Sequence, residues 1–297
     1  MLERKPLIWF LVLAFGISWP LFLATLLFRD MEPAVRQLAI TGFWALGMWG
    51  PGVAAIIATL VIGRQPFKSL RLNTLGPKRF YLWAWLLPAF LVILSALISA
   101  LIGTAQLDTE FTFLRQQMEA TGTELPVSPM VLILIQVGQA LILGPLINVI
   151  FAMGEELGWR GFLLPRLLPL GQWKALLLSG VIWGVWHAPA IIQGHNYPDH
   201  PILGILLMTV FTILIGIIIG WMYLNTRSPW VAALAHGSLN AWAGLPLLIL
   251  GPRFDNALGG TLTSIPGWIA MGLFIGWLVL TKRLPVQAKE EAQPAIE

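Results

Sequence analysis

Three short clusters in this sequence carry residues that could do acid–base chemistry. Gly154-Glu155-Glu156-Leu157-Gly158-Trp159-Arg160 ends a stretch, Leu125 to Gly154, that holds no charged residue. Trp183-Gly184-Val185-Trp186-His187 lies in the next apolar run, and His236-Gly237-Ser238-Leu239-Asn240 in a later one. A free carboxylate facing an imidazole can hold a water and take its proton. A second imidazole, with a carboxamide, can donate hydrogen bonds to the oxyanion formed when water attacks a carbonyl. Glu155, His187, His236 and Asn240 are thus a complete set for peptide-bond hydrolysis without a nucleophilic side chain. No G-x-S-x-G, Ser–Lys pair or suitable aspartate pair accompanies them. Glu155, His187 and His236 also fit zinc with an open position for water. The sequence lacks H-E-x-x-H, so such a Zn2+ site would be assembled from three helices, and spacing does not decide between the two.

Helical spacing sorts these groups. Glu156 and Arg160 are i,i+4 neighbours and can pair on one face. Glu155 points about 100° away from Glu156, so it has other surroundings and stays free for chemistry. His236 and Asn240 share a face, and Trp183 stands one turn before His187. Glu155 lies 16 residues before Gly171 and His187 lies 16 after it. In an antiparallel helix pair the two should sit level, about 24 Å of helix from the turn. His236, nine residues past Arg227, is shallower on the same side. A polar cavity open to the cytoplasmic side would serve all of them.

The elements that must hold this set are apolar. Hydrophobic residues make up 57% and charged residues 11%, against about 25% charged in soluble domains. Mean hydropathy is +0.79, so the natural solvent for this surface is a lipid bilayer. Eight segments read as spans of an all-α polytopic membrane bundle: Leu7–Phe28, Leu38–Ile62, Phe80–Ile102, Met130–Leu164, Leu176–Ile192, Ile202–Leu224, Trp230–Leu250 and Leu262–Leu280. The first, at 22 residues, exceeds a signal-peptide core of about 7–15 and reads as a retained helix. The fourth is too long for one crossing of about 20 residues. The fifth is short and ends at Ala188–Pro189. The chain divides into 1–128, the first three helices with an outer loop; 129–250, the core carrying the three clusters; and 251–297, the last helix and a cytoplasmic tail.

Of the 18 basic residues, both termini inside would leave only Arg29, Arg36, Arg115 and Arg253 outside. The positive-inside bias therefore places both termini in the cytoplasm, with a prokaryotic cell membrane as the expected location. Net charge is +4, but the basic residues lie between apolar runs rather than along a groove, so nucleic acid is not an expected partner. The absence of cysteine excludes disulfides, thiol nucleophiles and cysteine-ligated zinc. Gln106–Pro126, with Asp108, Glu110, Glu119 and Glu124, reads as a solvated connector. His195, Asp199 and His200 read as solvated loop residues, Asn148 as a packing residue near Glu155, and the 15 tryptophans as interfacial anchors and bundle-packing residues.

Three ordered motifs carry a resemblance. Glu155-Glu156-x-x-x-Arg160, Trp183-x-x-x-His187 and His236-x-x-x-Asn240 resemble those of the CPBP intramembrane protease family. That family includes the type II CAAX prenyl endopeptidase and bacterial proteins linked to bacteriocin self-immunity. The resemblance covers roughly Met130–Leu250. It implies an intramembrane endopeptidase acting on a membrane-associated, in some members prenylated, peptide or protein. Glu155 would activate water with His187 as partner, His236 and Asn240 would stabilise the oxyanion, and Glu156 and Arg160 would support the site. Tryptophan at 183 replaces the more usual phenylalanine, a change expected to alter packing only. Two other readings compete: a non-enzymatic membrane partner such as an immunity or secretion accessory protein, and a transporter with a midplane polar site, which lacks the internal repeat expected of it.

Overall fold

A computed structural model describes residues 3–112, 115–116, 128–251 and 254–287. Glu119, Glu124, Arg253 and Lys289 lie outside the described residues. Among the described residues the fold is helical throughout. The helices are α1 (Arg4–Ala24), α2 (Pro33–Met48), α3 (Gly50–Ile57), α4 (Arg79–Leu101), α5 (Pro129–Leu141), α6 (Leu143–Glu156), α7 (Gln172–Trp186), α8 (Leu203–Thr226), α9 (Pro229–Trp242) and α10 (Ile265–Leu280). Four stretches are long and apolar enough to cross a membrane: Arg4–Phe28, Pro33–Ile62, Arg79–Leu101 and Leu203–Thr226. The protein is thus an all-α polytopic membrane bundle.

The overlong fourth run resolves into two helices. α5 and the stretch Leu143–Leu170 meet at a 45° bend and together form a fifth candidate crossing. Pro145 sits in the first turn of α6, where its missing N–H breaks no helical bond. α6 continues through a π-helical stretch, Leu157–Leu163, directly after Glu155 and Glu156. Such stretches recur at functional sites because they re-aim side chains. The other three expected spans are shorter than read. α7, α9 and α10 have 15, 14 and 16 residues, below the roughly 20 of a full crossing.

The bundle has two distinct ends. One gathers Arg4, Lys5, Arg64, Lys68, Arg71, Lys78, Arg79, Arg166, Lys174, Arg227, Lys282 and Arg283. It is tied by Arg166 to Glu3 (3.3 Å), by the Trp230 indole N–H to the Leu72 carbonyl (2.8 Å) and by the Gln172 amide to the Val286 carbonyl (3.1 Å). The opposite end is tied by the Thr25 hydroxyl donating to Gln193 Oε1 (2.7 Å), the Tyr197 hydroxyl donating to the Thr263 carbonyl (2.7 Å) and a backbone bridge between Leu107 and Leu250. Arg160, counted in sequence with the basic loops, is instead buried in the bundle.

Close backbone approach centres on α6. α9 packs against α6 and α4, α8 against α7, and α1 against α3. A Cβ on Gly237 of α9 would stand 2.8 Å from the Val149 amide nitrogen of α6. A Cβ on Gly154 of α6 would stand 2.8 Å from the Met48 carbonyl oxygen. Glycine at both contacts lets neighbouring backbones touch, which brings α9 and the α2–α3 junction against α6 beside Glu155.

Candidate active site

Glu155, Glu156, Arg160 and His236 are all buried, at 0–5% exposure. The two glutamates have separate partners, as the 100° rotation requires. Glu156 Oε1 accepts from Arg160 Nη1 at 2.7 Å and from His236 Nδ1 at 2.9 Å. Glu155 Oε2 accepts from the indole N–H of Trp183 at 2.7 Å and, more weakly, from that of Trp159 at 3.4 Å. A carboxylate at this depth needs donors to offset lost hydration, and here tryptophans supply them.

Trp183 contacts Glu155, Arg160, His187 and His236. Its ring lies 4.5 Å from the Arg160 Cζ, with centroids 5.3 Å from His236 and 5.8 Å from His187. Its own carbonyl accepts from His187 Nδ1 at 2.8 Å. A carbonyl can only accept, so Nδ1 carries the proton and Nε2 of the neutral ring keeps its lone pair. The expectation that tryptophan at 183 alters packing only is therefore corrected: a phenylalanine would have no N–H for Glu155. Part of this is visible in the sequence, because Trp159 is i+4 from Glu155 and indole is a donor.

Glu155, Trp183, His187, His236 and Asn240 line one cavity of about 550 Å³. Met208, Phe211, Leu239 and Leu247 give it apolar walls. Toward the basic end it is closed: residues 157–164 are all buried, and Phe10 stacks on Phe162 with centroids 4.7 Å apart. Toward the other end exposure rises, with Asn240, Ala243 and Gly244 exposed, and the walls become the loop residues Gly194–Asn196 and Thr261–Thr263. The mouth thus lies opposite the basic loops. A cytoplasmic opening and cytoplasmic termini, both expected from sequence, do not occur together. The depth estimate measured distance from the basic turn and had no view of which side was plugged.

His195 is an exposed loop residue, as expected, and it also lines the cavity mouth, where it meets Trp44 edge to face at 4.9 Å. His200 pairs with Asp255 across the mouth at 2.7 Å. Partial burial works against ionisation of Asp255, but the hydrogen bonds from His200 and from the Ala257 amide outweigh it and hold the carboxyl below its usual range. Asn148 donates to the Gly144 carbonyl at 2.9 Å and packs, as expected. Zinc fits poorly: among the described residues no three His, Cys, Asp or Glu side chains converge as a metal-holding group. Glu155 Oε2 is taken by Trp183 and Trp159, and the Nδ1 bonds of His187 and His236 leave only their Nε2 atoms open.

Residues 136–242 match the family model described as type II CAAX prenyl endopeptidase Rce1-like. The chain carries an Rce1-like domain. The match encloses all three motifs, so the resemblance read from them holds. CAAX prenyl protease 2 of Methanococcus maripaludis is 34% identical to the chain over 85 residues, which are 27% of this chain and 31% of that protein. The chain therefore aligns with under a third of this curated relative. In the Rce1-like domain the catalytic candidates come from α6, α7 and α9, while α1, α3 and the loops after α7 and before α10 close the cavity around them.

Proposed function

We propose that this protein is an intramembrane endopeptidase that hydrolyses a peptide bond of a membrane-associated peptide or protein. One observation carries the reading: a buried carboxylate, Glu155, is held by two indole donors at the wall of a cavity it shares with His187, His236 and Asn240. Glu155 takes a proton from water as the water oxygen bonds to the scissile carbonyl carbon. His187 Nε2 accepts the other water hydrogen and orients the attack. The His236 imidazolium, through Nε2–H, and the Asn240 amide donate to the carbonyl oxygen as it becomes an oxyanion. Glu155 then returns the proton to the amide nitrogen as the C–N bond breaks. Glu156 and Arg160 fix His236 by its Nδ1. No step passes through a metal.

The termini face the cytoplasm, on the weight of the basic loops, and the mouth then faces the other side. The relative's name points to prenylated substrates. The apolar walls support a lipidated or hydrophobic segment next to the cleaved bond, and prenylated and unmodified peptides compared in one assay separate these. The decisive experiment is Glu155→Gln in purified protein. Loss of cleavage of a substrate that the wild type cuts, with folding retained, supports the reading. Retained cleavage sinks it. Metal analysis with chelator treatment tests the metal-free route: cleavage that stops on chelation and returns with zinc overturns it.

A further inference from the structure

A second recess, sharing no lining residue with the cavity, lies where the start of α4 meets the end of α10. An apolar groove of about 620 Å³ is walled by Leu82, Leu86 and Phe90 of α4 and by Phe274 and Trp277 of α10. A polar recess of about 450 Å³ adjoins it, lined by Arg79, Asn225, Lys282 and Arg283. Arg79 and Trp83 line both, so the two are one continuous feature. Among the described residues no carboxylate lines either part. Among the described residues none of the three cations has an acidic partner, although Arg166 at the same end is paired with Glu3. Two of the guanidinium groups are braced on aromatic rings, Arg79 over Phe80 at 5.4 Å and Arg283 over Trp277 at 4.6 Å. Bracing limits their freedom to turn away into solvent. Cations without an acidic partner among the described residues, above a lipid-facing apolar groove, suit an amphiphile with an anionic head.

We propose that this recess binds one anionic phospholipid, with its phosphate among Arg79, Lys282 and Arg283 and an acyl chain along Leu82, Leu86 and Phe90. Basic pockets between transmembrane helices select such headgroups, each cation contributing roughly a fivefold preference. Three cations then give a preference on the order of 100-fold over a zwitterionic lipid.

The full chain is purified and titrated with phosphatidylglycerol or phosphatidylcholine, with bound lipid read by native mass spectrometry. One retained phosphatidylglycerol, preferred by about 100-fold, is the expected result. Arg79→Gln/Arg283→Gln should lose most of the preference, while Lys68→Gln/Lys174→Gln, which removes the same charge elsewhere at this end, should keep it. Lys282→Gln alone, at an exposed position, should lower it about fivefold and serves if the double variant does not fold. Equal losses in both double variants would mean diffuse surface attraction and overturn the site. Displacement of the bound lipid by millimolar inorganic phosphate would overturn the lipid and leave a phosphate pocket.

Discussion

Replacing Glu156 separates the roles of the two adjacent glutamates. Its Oε1 accepts from Arg160 at 2.7 Å and from His236 at 2.9 Å, and Arg160 is only 2% exposed. Glu156→Ala strands the guanidinium without solvent or counter-ion, and breaking a buried pair in this way costs about 3–5 kcal/mol. The contact of Arg160 with the Trp183 ring is present before and after and does not offset this. Removing both charges is different. Glu156→Leu/Arg160→Met exchanges a buried ion pair for apolar side chains, which is commonly neutral or stabilising. What remains is His236 Nδ1 without its acceptor, a loss of about 1–3 kcal/mol. The double variant should therefore be more stable than Glu156→Ala by a few kcal/mol. Glu155→Gln should behave in the opposite sense: its amide oxygen can still accept from Trp183, so stability holds, while cleavage falls about 10²–10⁴-fold with loss of the base. Denaturant or thermal unfolding in one detergent, with cleavage assayed on the same samples, reads both. A Glu156→Ala protein within about 1 kcal/mol of wild type, or a double variant no better than the single, would refute the assignment of Glu156 to a structural ion pair.

Trp183→Phe keeps a ring over Arg160 but removes the 2.7 Å donor to Glu155. A hydrogen bond to a charged group is worth about 1.5–3 kcal/mol, so kcat/KM should fall on the order of 10–100-fold; an unchanged value would return Trp183 to a packing role. Gly237→Ala places a Cβ 2.8 Å from the Val149 nitrogen and should cost about 1–3 kcal/mol by overpacking, visible as a lowered unfolding midpoint. Asp255 ionises more readily folded than unfolded, so its contribution to the mouth loops is full above the ordinary aspartate value of about 3.9 and is lost as pH falls through the lower folded one. Faster hydrogen exchange at the Ala257 amide only in that acid range would match; Asp255→Asn should remove the pH step. The cysteine-free chain permits single-cysteine mapping: Asn256→Cys should react with an impermeant maleimide added to intact cells, and Lys68→Cys only after lysis. The reverse pattern would invert the proposed orientation.

The apolar character of the bundle and the division of labour between Glu155 and Glu156 were legible because both follow from counting. A charged residue after thirty uncharged ones is conspicuous, and the i,i+4 spacing of Glu156 and Arg160 forces them onto one face. The Trp159 partner of Glu155 follows from i,i+4 spacing, but the closer partner, Trp183, depends on how α7 rotates against α6, which no count along one helix contains. The bend at Ile142 was visible only as excess length. The true ends of α7, α9 and α10 were hidden because apolar residues beyond them, such as the separate 3-10 turn Leu245–Leu248, extend the hydropathy of a helix without extending the helix.

Those short helices explain where the cavity opens. At 14–16 residues they reach about 21–24 Å, less than a hydrocarbon core of about 30 Å. At the end away from the basic loops the long helices break early: α7 stops at Trp186 and only a short helix, Ala188–Ile192, follows, α9 stops at Trp242 before a 3-10 turn at Leu245–Leu248, and α10 begins only at Ile265. Non-helical backbone at membrane depth survives only where protein buries it or water reaches it. The Tyr197 hydroxyl donating to the Thr263 carbonyl and the Ala257 amide donating to Asp255 Oδ1 meet part of that need, and the cavity meets the rest. Water then stands above Asn240 and can reach a carboxylate that is itself 2% exposed. The reacting groups are placed by their depth below this mouth rather than by their height above the basic turn, and so the burial of Glu155 and its access to water are compatible.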